Sequence, residues 1–136
     1  MSMVSIPFKR ISNIPFIKVV LENKEQYFVI DSGSTASLLD EKYLNNTINS
    51  SEDAETVSVS GIGGTWEGKK AIVWFDIDGV NFRSLFLVSD LGDFFRIPEE
   101  KIGPVAGILG GNFLYHYKAV IDYGKECIFI DEKNID

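Results

Sequence analysis

Short β-forming runs punctuated by turn residues dominate the chain. Residues 4–10 and 14–22 are rich in β-formers and are separated by a Ser-Asn-Ile-Pro break. Asn23-Lys24 reads as a tight turn, and residues 25–30 as the strand that folds back after it. Residues 37–44 have helical character, with Leu39, Tyr43 and Leu44 on one face. A Ser/Asn/Glu/Asp-rich stretch to residue 55 then reads as a solvated loop. Residues 56–60 alternate, with Val57 and Val59 sharing a face, and a glycine cluster leads into a long β segment over 65–77. Asp78-Gly79 is a two-residue turn signal that opens a second hairpin through residues 80–88. Residues 91–104, with Pro98 among them, read as a loop or a short distorted helix. Residues 118–122 and 126–130 form a last hairpin that turns at 123–125. With no internal repeat, low-complexity tract or linker, the pattern implies one closed β-domain over 1–136 with one or two short helices.

A chain of 136 residues can bury about two-thirds of its unfolded surface. Its 45% apolar and 24% charged residues are those of a globular protein. The net charge of −7, without any lysine/arginine stripe, argues against nucleic acid as a partner. A single cysteine, Cys127, excludes an intrachain disulfide and a multi-cysteine metal site; in its apolar strand pattern it reads as a core thiol. The first ten residues lack the apolar core of a signal peptide and no run approaches a membrane span, so the chain reads as cytoplasmic, with no membrane segment. His116, the one histidine, lies in an aromatic stretch and reads as a half-buried packing residue. Without a second histidine or an HExxH pattern a zinc hydrolase has no ligand set, and no metal or cofactor is expected. No Gly-x-Ser-x-Gly supplies a nucleophile elbow. The glycine cluster has no lysine spaced for a phosphate cradle. Trp66, Trp74, Phe94 and Phe95 read as core or rim aromatics, with the last two candidates for lining a pocket.

The chemistry concentrates in Phe28-Val29-Ile30-Asp31-Ser32-Gly33-Ser34-Thr35. Three β-formers deliver Asp31 to a strand end, where its carboxylate can project into a cleft. Gly33 is expected to turn the backbone under the carboxylate in a conformation other residues resist. Its N–H and the Ser34 hydroxyl are then candidates to hydrogen-bond Asp31, which favours the ionised acid. A second stretch, Ala106-Gly107-Ile108-Leu109-Gly110-Gly111-Asn112-Phe113-Leu114, again reads as an apolar strand ending in glycine and followed by a short helix.

Here the chain resembles the retropepsin-like aspartic proteases, single-domain relatives of pepsin. Asp31-Ser32-Gly33-Ser34 matches the family's catalytic loop, and Ile108-Leu109-Gly110 its two-hydrophobics-then-glycine motif. Gly61-Ile62-Gly63-Gly64 stands where the family carries its flap tip. The resemblance runs in order from about residue 15 to 130. It implies an all-β, closed barrel-like acid protease fold and a homodimer in which each copy gives Asp31 to a dyad that shares one proton. Ser32 would reach the partner's loop, Ser34 a carboxylate oxygen, and the Gly33 carbonyl the substrate backbone. The substrate would be an extended peptide or unfolded segment beneath the flap. Thr35 and Gly111 depart from the acidic residue and arginine with which many retroviral members brace this loop. Two other readings stay open. One keeps the same fold as a catalytically weak or silent peptide-binding or dimerisation module. The other takes residues 30–36 as the phosphate turn of an actin-like ATPase.

Overall fold

The computed structural model describes residues 2–43, 56–61 and 64–135, with side chains from 56 to 67 excepted. Eleven strands are described: β1 (Met3–Pro7), β2 (Lys9–Ile11), β3 (Ile14–Leu21), β4 (Lys24–Ile30), β5 (Ser37–Asp40), β6 (Thr56–Gly61), β7 (Gly64–Ile77), β8 (Val80–Ser89), β9 (Val105–Leu109), β10 (Val120–Asp122) and β11 (Cys127–Asp131). Helix α1 (Arg96–Ile102) lies between β8 and β9, and α2 (Gly111–His116) follows β9. The large sheet runs β2-β3-β4-β9-β5-β8-β7-β6, and a further pairing of β3 with β7 at Val20 and Asp76 closes six of its strands into a barrel. A smaller sheet places β11 between β1 and β10, joining the two ends of the chain.

Three tight hairpins turn on residue pairs that both have positive φ: Ser12-Asn13, Glu22-Asn23 and Asp78-Gly79. Paired positive φ values match the right-handed strand twist, which is why Asn and Gly recur there. The turn expected at Asn23-Lys24 sits one residue earlier, because Asn23 takes the second turn position.

The helix expected over 37–44 is instead β5 followed by one 3-10 turn, Glu41–Tyr43. Strand β5 is wedged between β9 and β8, and all four of its residues are buried. A strand covered on both faces has no alternation to betray it. The short turn is capped by Asp40, whose Oδ1 accepts the Lys42 N–H at 3.3 Å while Lys42 Nζ lies 3.5 Å from Oδ2. Tyr43 donates its hydroxyl to Glu99 Oε2 at 3.1 Å, which ties this turn to α1. The expectation of a distorted helix in 91–104 resolves as α1. The solvated loop expected up to residue 55 lies outside the described residues.

Strand β4 is also buried on both faces. Phe28 and Ile30 enter a large core with Phe75, Phe82, Phe86, Phe113 and Tyr117. Tyr27 and Val29 enter a second cluster with Phe16, Leu38 and Ile108. Burying one such side chain contributes about 1.5–3 kcal/mol, so the strand carrying the candidate acid is anchored from both sides.

Candidate active site

Consecutive in the chain, β4 and β5 are not neighbours in the sheet, because β9 inserts between them. It runs parallel to β4 and antiparallel to β5. The loop 31–36 therefore crosses the end of β9, and backbone meets backbone. A Cβ on Gly107 would overlap the Leu38 carbonyl, and one on Gly110 would overlap the Ala36 carbonyl and come within 2.8 Å of the Ser34 carbonyl oxygen. Glycine is demanded at these crossings by space. It is not demanded at Gly33, contrary to expectation: φ there lies outside the left-handed region, and a Cβ would meet Asp31 Oδ1 at an ordinary 3.4 Å.

Asp31 is half-buried at the root of the loop. Its N–H donates to the Leu109 carbonyl at 3.0 Å, extending the β4–β9 pairing by one residue. Oδ1 accepts the Gly33 N–H at 3.0 Å, as expected. Oδ2 is buried and has no hydrogen-bond partner among the described residues. An orphaned buried oxygen costs about 1–3 kcal/mol and calls for an explanation. The Ser34 hydroxyl does not supply one. It turns under the loop and donates to the Ala36 carbonyl at 2.7 Å, correcting the expectation that it meets the carboxylate. Ser32 and Gly33 are exposed.

Two residues not singled out in the sequence hold this arrangement. Ser37 accepts the Gly110 N–H at 3.0 Å and donates to Asn112 Oδ1 at 2.7 Å. Asn112 Nδ2 then donates to the Leu85 carbonyl at 2.8 Å and lies 3.4 Å from Ser84 Oγ. The clip joins β5, α2 and β8 behind the Asp31 loop. A polar residue opening the apolar run 37–39, and an Asn directly after Gly110-Gly111, were the available signals. Where Thr35 and Gly111 leave out the charged brace, the Gly111 N–H bonds the Ser34 carbonyl at 2.6 Å, so backbone atoms make the connection.

The structure thus brings the Asp31 loop against Ile108, Leu109 and Gly110. Leu109 faces the large core and Ile108 the second cluster. Gly61 and Gly64 pair at the ends of β6 and β7, while Ile62 and Gly63 lie outside the described residues. His116 is exposed, correcting its half-buried reading, because α2 turns Phe113 and Leu114 inward and leaves Tyr115 and His116 outward. Cys127 is half-buried. Phe95 belongs to the second core cluster, whereas Phe94 lines a hollow of about 290 Å³ with Ile11, Phe16 and Ile97. Among the described residues no group of three or more His, Cys, Asp or Glu is placed to hold a metal ion, and no helix is long and apolar enough to cross a membrane.

No protein-family model and no curated protein matches the chain. Among solved structures it is similar to EIAV protease complexed with the inhibitor HBY-793, at a TM-score of 0.51 and 18% identity, over 79% of this chain and 90% of that one. A closed six-strand barrel, the β9 insertion beneath the Asp31 loop and this likeness agree. The chain has a retropepsin-like fold.

Proposed function

We propose that the chain is a single-domain aspartic endopeptidase that works as a homodimer, each copy contributing Asp31. The observation that carries this reading is the asymmetry of the Asp31 carboxylate. One oxygen is fixed by the Gly33 N–H, and the other is buried without a partner among the described residues. A second Asp31 across a twofold axis would give that oxygen a proton to share.

Hydrolysis of an amide by this route needs one carboxylate to take a proton from water and one carboxyl group to protonate the departing nitrogen. Two such groups about 3 Å apart cannot both ionise, so they hold a single proton between them and divide the two roles. Several of the other described aspartates are already engaged within the chain, which favours a dyad made from two chains. Asp40 pairs with Lys42, Asp76 accepts from Asn81, and Asp90 and Asp122 accept the N–H groups of Gly92 and Lys125. Ser32, exposed beside the acid, would meet the partner's loop. The segment Gly61-Ile62-Gly63-Gly64 would close over an extended peptide that pairs through its backbone.

Incubation with a mixed peptide pool at pH 4–6 tests the proposal. Cleavage that is blocked by a statine-type peptide and abolished by Asp31→Asn supports it. Undiminished cleavage by the Asn variant refutes it, and peptide binding without turnover at any pH identifies the silent binding module instead. The actin-like reading has lost its footing, since residues 30–36 lead into an all-β barrel.

A further inference from the structure

We propose that Tyr115 and the hollow beside it form a self-complementary contact between two copies of this chain, the ring of each seated in the hollow of the other. The contact rests on the proteolytic reading above for the way the copies approach. Tyr115 is 86% exposed, and its side chain makes no hydrogen bond or ring contact among the described residues. A lone exposed apolar residue is ordinary, so exposure by itself assigns nothing. Here, however, the ring stands on the rim of a hollow of about 520 Å³, lined by Ser32, Leu114, Ala119 and Ile121 among others.

The walls of this hollow are fixed. After α2 the chain turns back at Lys118, which has a positive φ. Two backbone bonds close the turn: the Ala119 N–H donates to the Leu114 carbonyl at 2.9 Å and the Lys118 N–H to the Tyr115 carbonyl at 3.2 Å. Leu114 belongs to the large core, and Ala119 and Ile121 pack against it. The Tyr115 ring stands over Gly111, where a Cβ would lie 3.9 Å from its Cδ2. A recess and a projection held this way lose little freedom when they pair.

Geometry selects the occupant. Ser32 lines the hollow and follows Asp31 in the chain, about 3.8 Å away between Cα atoms. Two Asp31 carboxylates that share a proton must come within about 3 Å, which brings the twofold axis to this loop and turns each hollow toward the other copy. A twofold contact uses the same patch on both sides, so the patch needs its own projection and its own recess. Tyr115 supplies the first and the hollow the second. Tyrosine is also among the side chains that carry most of the energy at interfaces, with a large ring on two torsions.

The contact is uncharged in character. Its lining holds no carboxylate, and its one charged residue, Lys118, is exposed and can turn to water. Since Thr35 and Gly111 leave the loop without a charged brace, apolar burial has to hold the copies together. Each copy carries −7, so salt that screens their repulsion should tighten the pair or leave it unchanged.

Sedimentation velocity on the full chain over a dilution series tests the contact. Tyr115→Ala should raise the dimer Kd at least about tenfold, and Tyr115→Phe should stay within about threefold of wild type. Tyr115→Glu, which puts a charge where the ring seats, should weaken pairing further. Because the side chain is exposed, thermal melts at high dilution should not separate these variants from wild type. Cleavage of a peptide pool by Tyr115→Ala should fall at low protein concentration and recover at high concentration, with KM unchanged. A Kd indifferent to Tyr115→Ala, or one that rises about tenfold between low and high salt, overturns the contact. Unchanged pairing with a raised KM gives the hollow to the substrate and overturns it as well, as does a wild type that stays monomeric throughout. The two readings fail separately: pairing through Tyr115 in a chain that cleaves nothing keeps the contact and loses the protease, whereas cleavage by a dimer indifferent to Tyr115 does the reverse.

Discussion

Replacing Ser37 by Ala removes one oxygen atom and disconnects the scaffold behind Asp31. Ser37 is wholly buried, and its hydroxyl both accepts the Gly110 N–H and donates to Asn112 Oδ1. Leaving the buried Gly110 N–H unpaired costs about 1–3 kcal/mol, and losing the second bond about 1 kcal/mol more, since half-exposed Asn112 can turn to water. The expected loss is therefore about 2–4 kcal/mol, or a fall in Tm of about 7–14 °C for a chain of this length. Urea unfolding of Ser37→Ala, Ser37→Thr and the wild type measures it, with exposed Thr35→Ala as a control expected within about 0.5 kcal/mol. Because the clip positions the Asp31 loop, Ser37→Ala should also lower kcat more than it raises KM, and Ser37→Thr should recover part of both. An unfolding midpoint for Ser37→Ala indistinguishable from that of Thr35→Ala would refute the reasoning.

Gly110→Ala should destabilise the fold by about 1–3 kcal/mol or more, because its methyl meets backbone carbonyls, while Gly33→Ala should stay within about 1 kcal/mol of wild type; thermal melts that reverse this order contradict the crossing geometry. Tyr43 has its pKa raised from its ordinary value of 10.0, first by burial, then by its hydrogen bond to Glu99 and the charges of Glu99 and Asp40. The folded state thus resists ionisation that the unfolded state accepts, so the stability Tyr43 contributes is complete below pH 10 and falls as pH rises above it. Urea unfolding at pH 8 and pH 11 should therefore show a larger loss for the wild type than for Tyr43→Phe, and equal losses would exclude the effect. Peptidase activity should peak at acidic pH, as a shared proton requires; full activity at pH 9 with none at pH 5 would be incompatible with it.

Hairpins were legible wherever local chemistry decides them: Asp78-Gly79 between apolar runs announces its turn, and β7 and β8 follow on either side. Strand β5 was not, since Ser37 to Asp40 are all buried and such a run looks alike as helix or strand. Asp31 stood out because a carboxylate followed by small residues ends an apolar strand. The clip that steadies it did not, because Ser37 and Asn112 are 75 residues apart and meet only once β9 has passed between β4 and β5. Glycines were visible in the sequence, but which of them the fold needs was not. Space, which depends on long-range crossing, demands glycine at Gly68, Gly107 and Gly110 and leaves Gly33 free. The pairing of β1 with β11, at opposite ends of the chain, likewise had no local signature.

The central claim is that catalysis takes one Asp31 from each of two chains, and subunit mixing tests it most directly. Wild type and Asp31→Asn, exchanged to equilibrium at equal amounts and fixed total concentration, should retain about one quarter of wild-type activity, because only that share of randomly formed dimers carries two carboxylates. Activity that follows the square of the wild-type fraction across a full mixing series supports the dyad. A linear decline through about one half at equal mixing would show that each chain acts alone, and the shared Asp31 site would have to be abandoned.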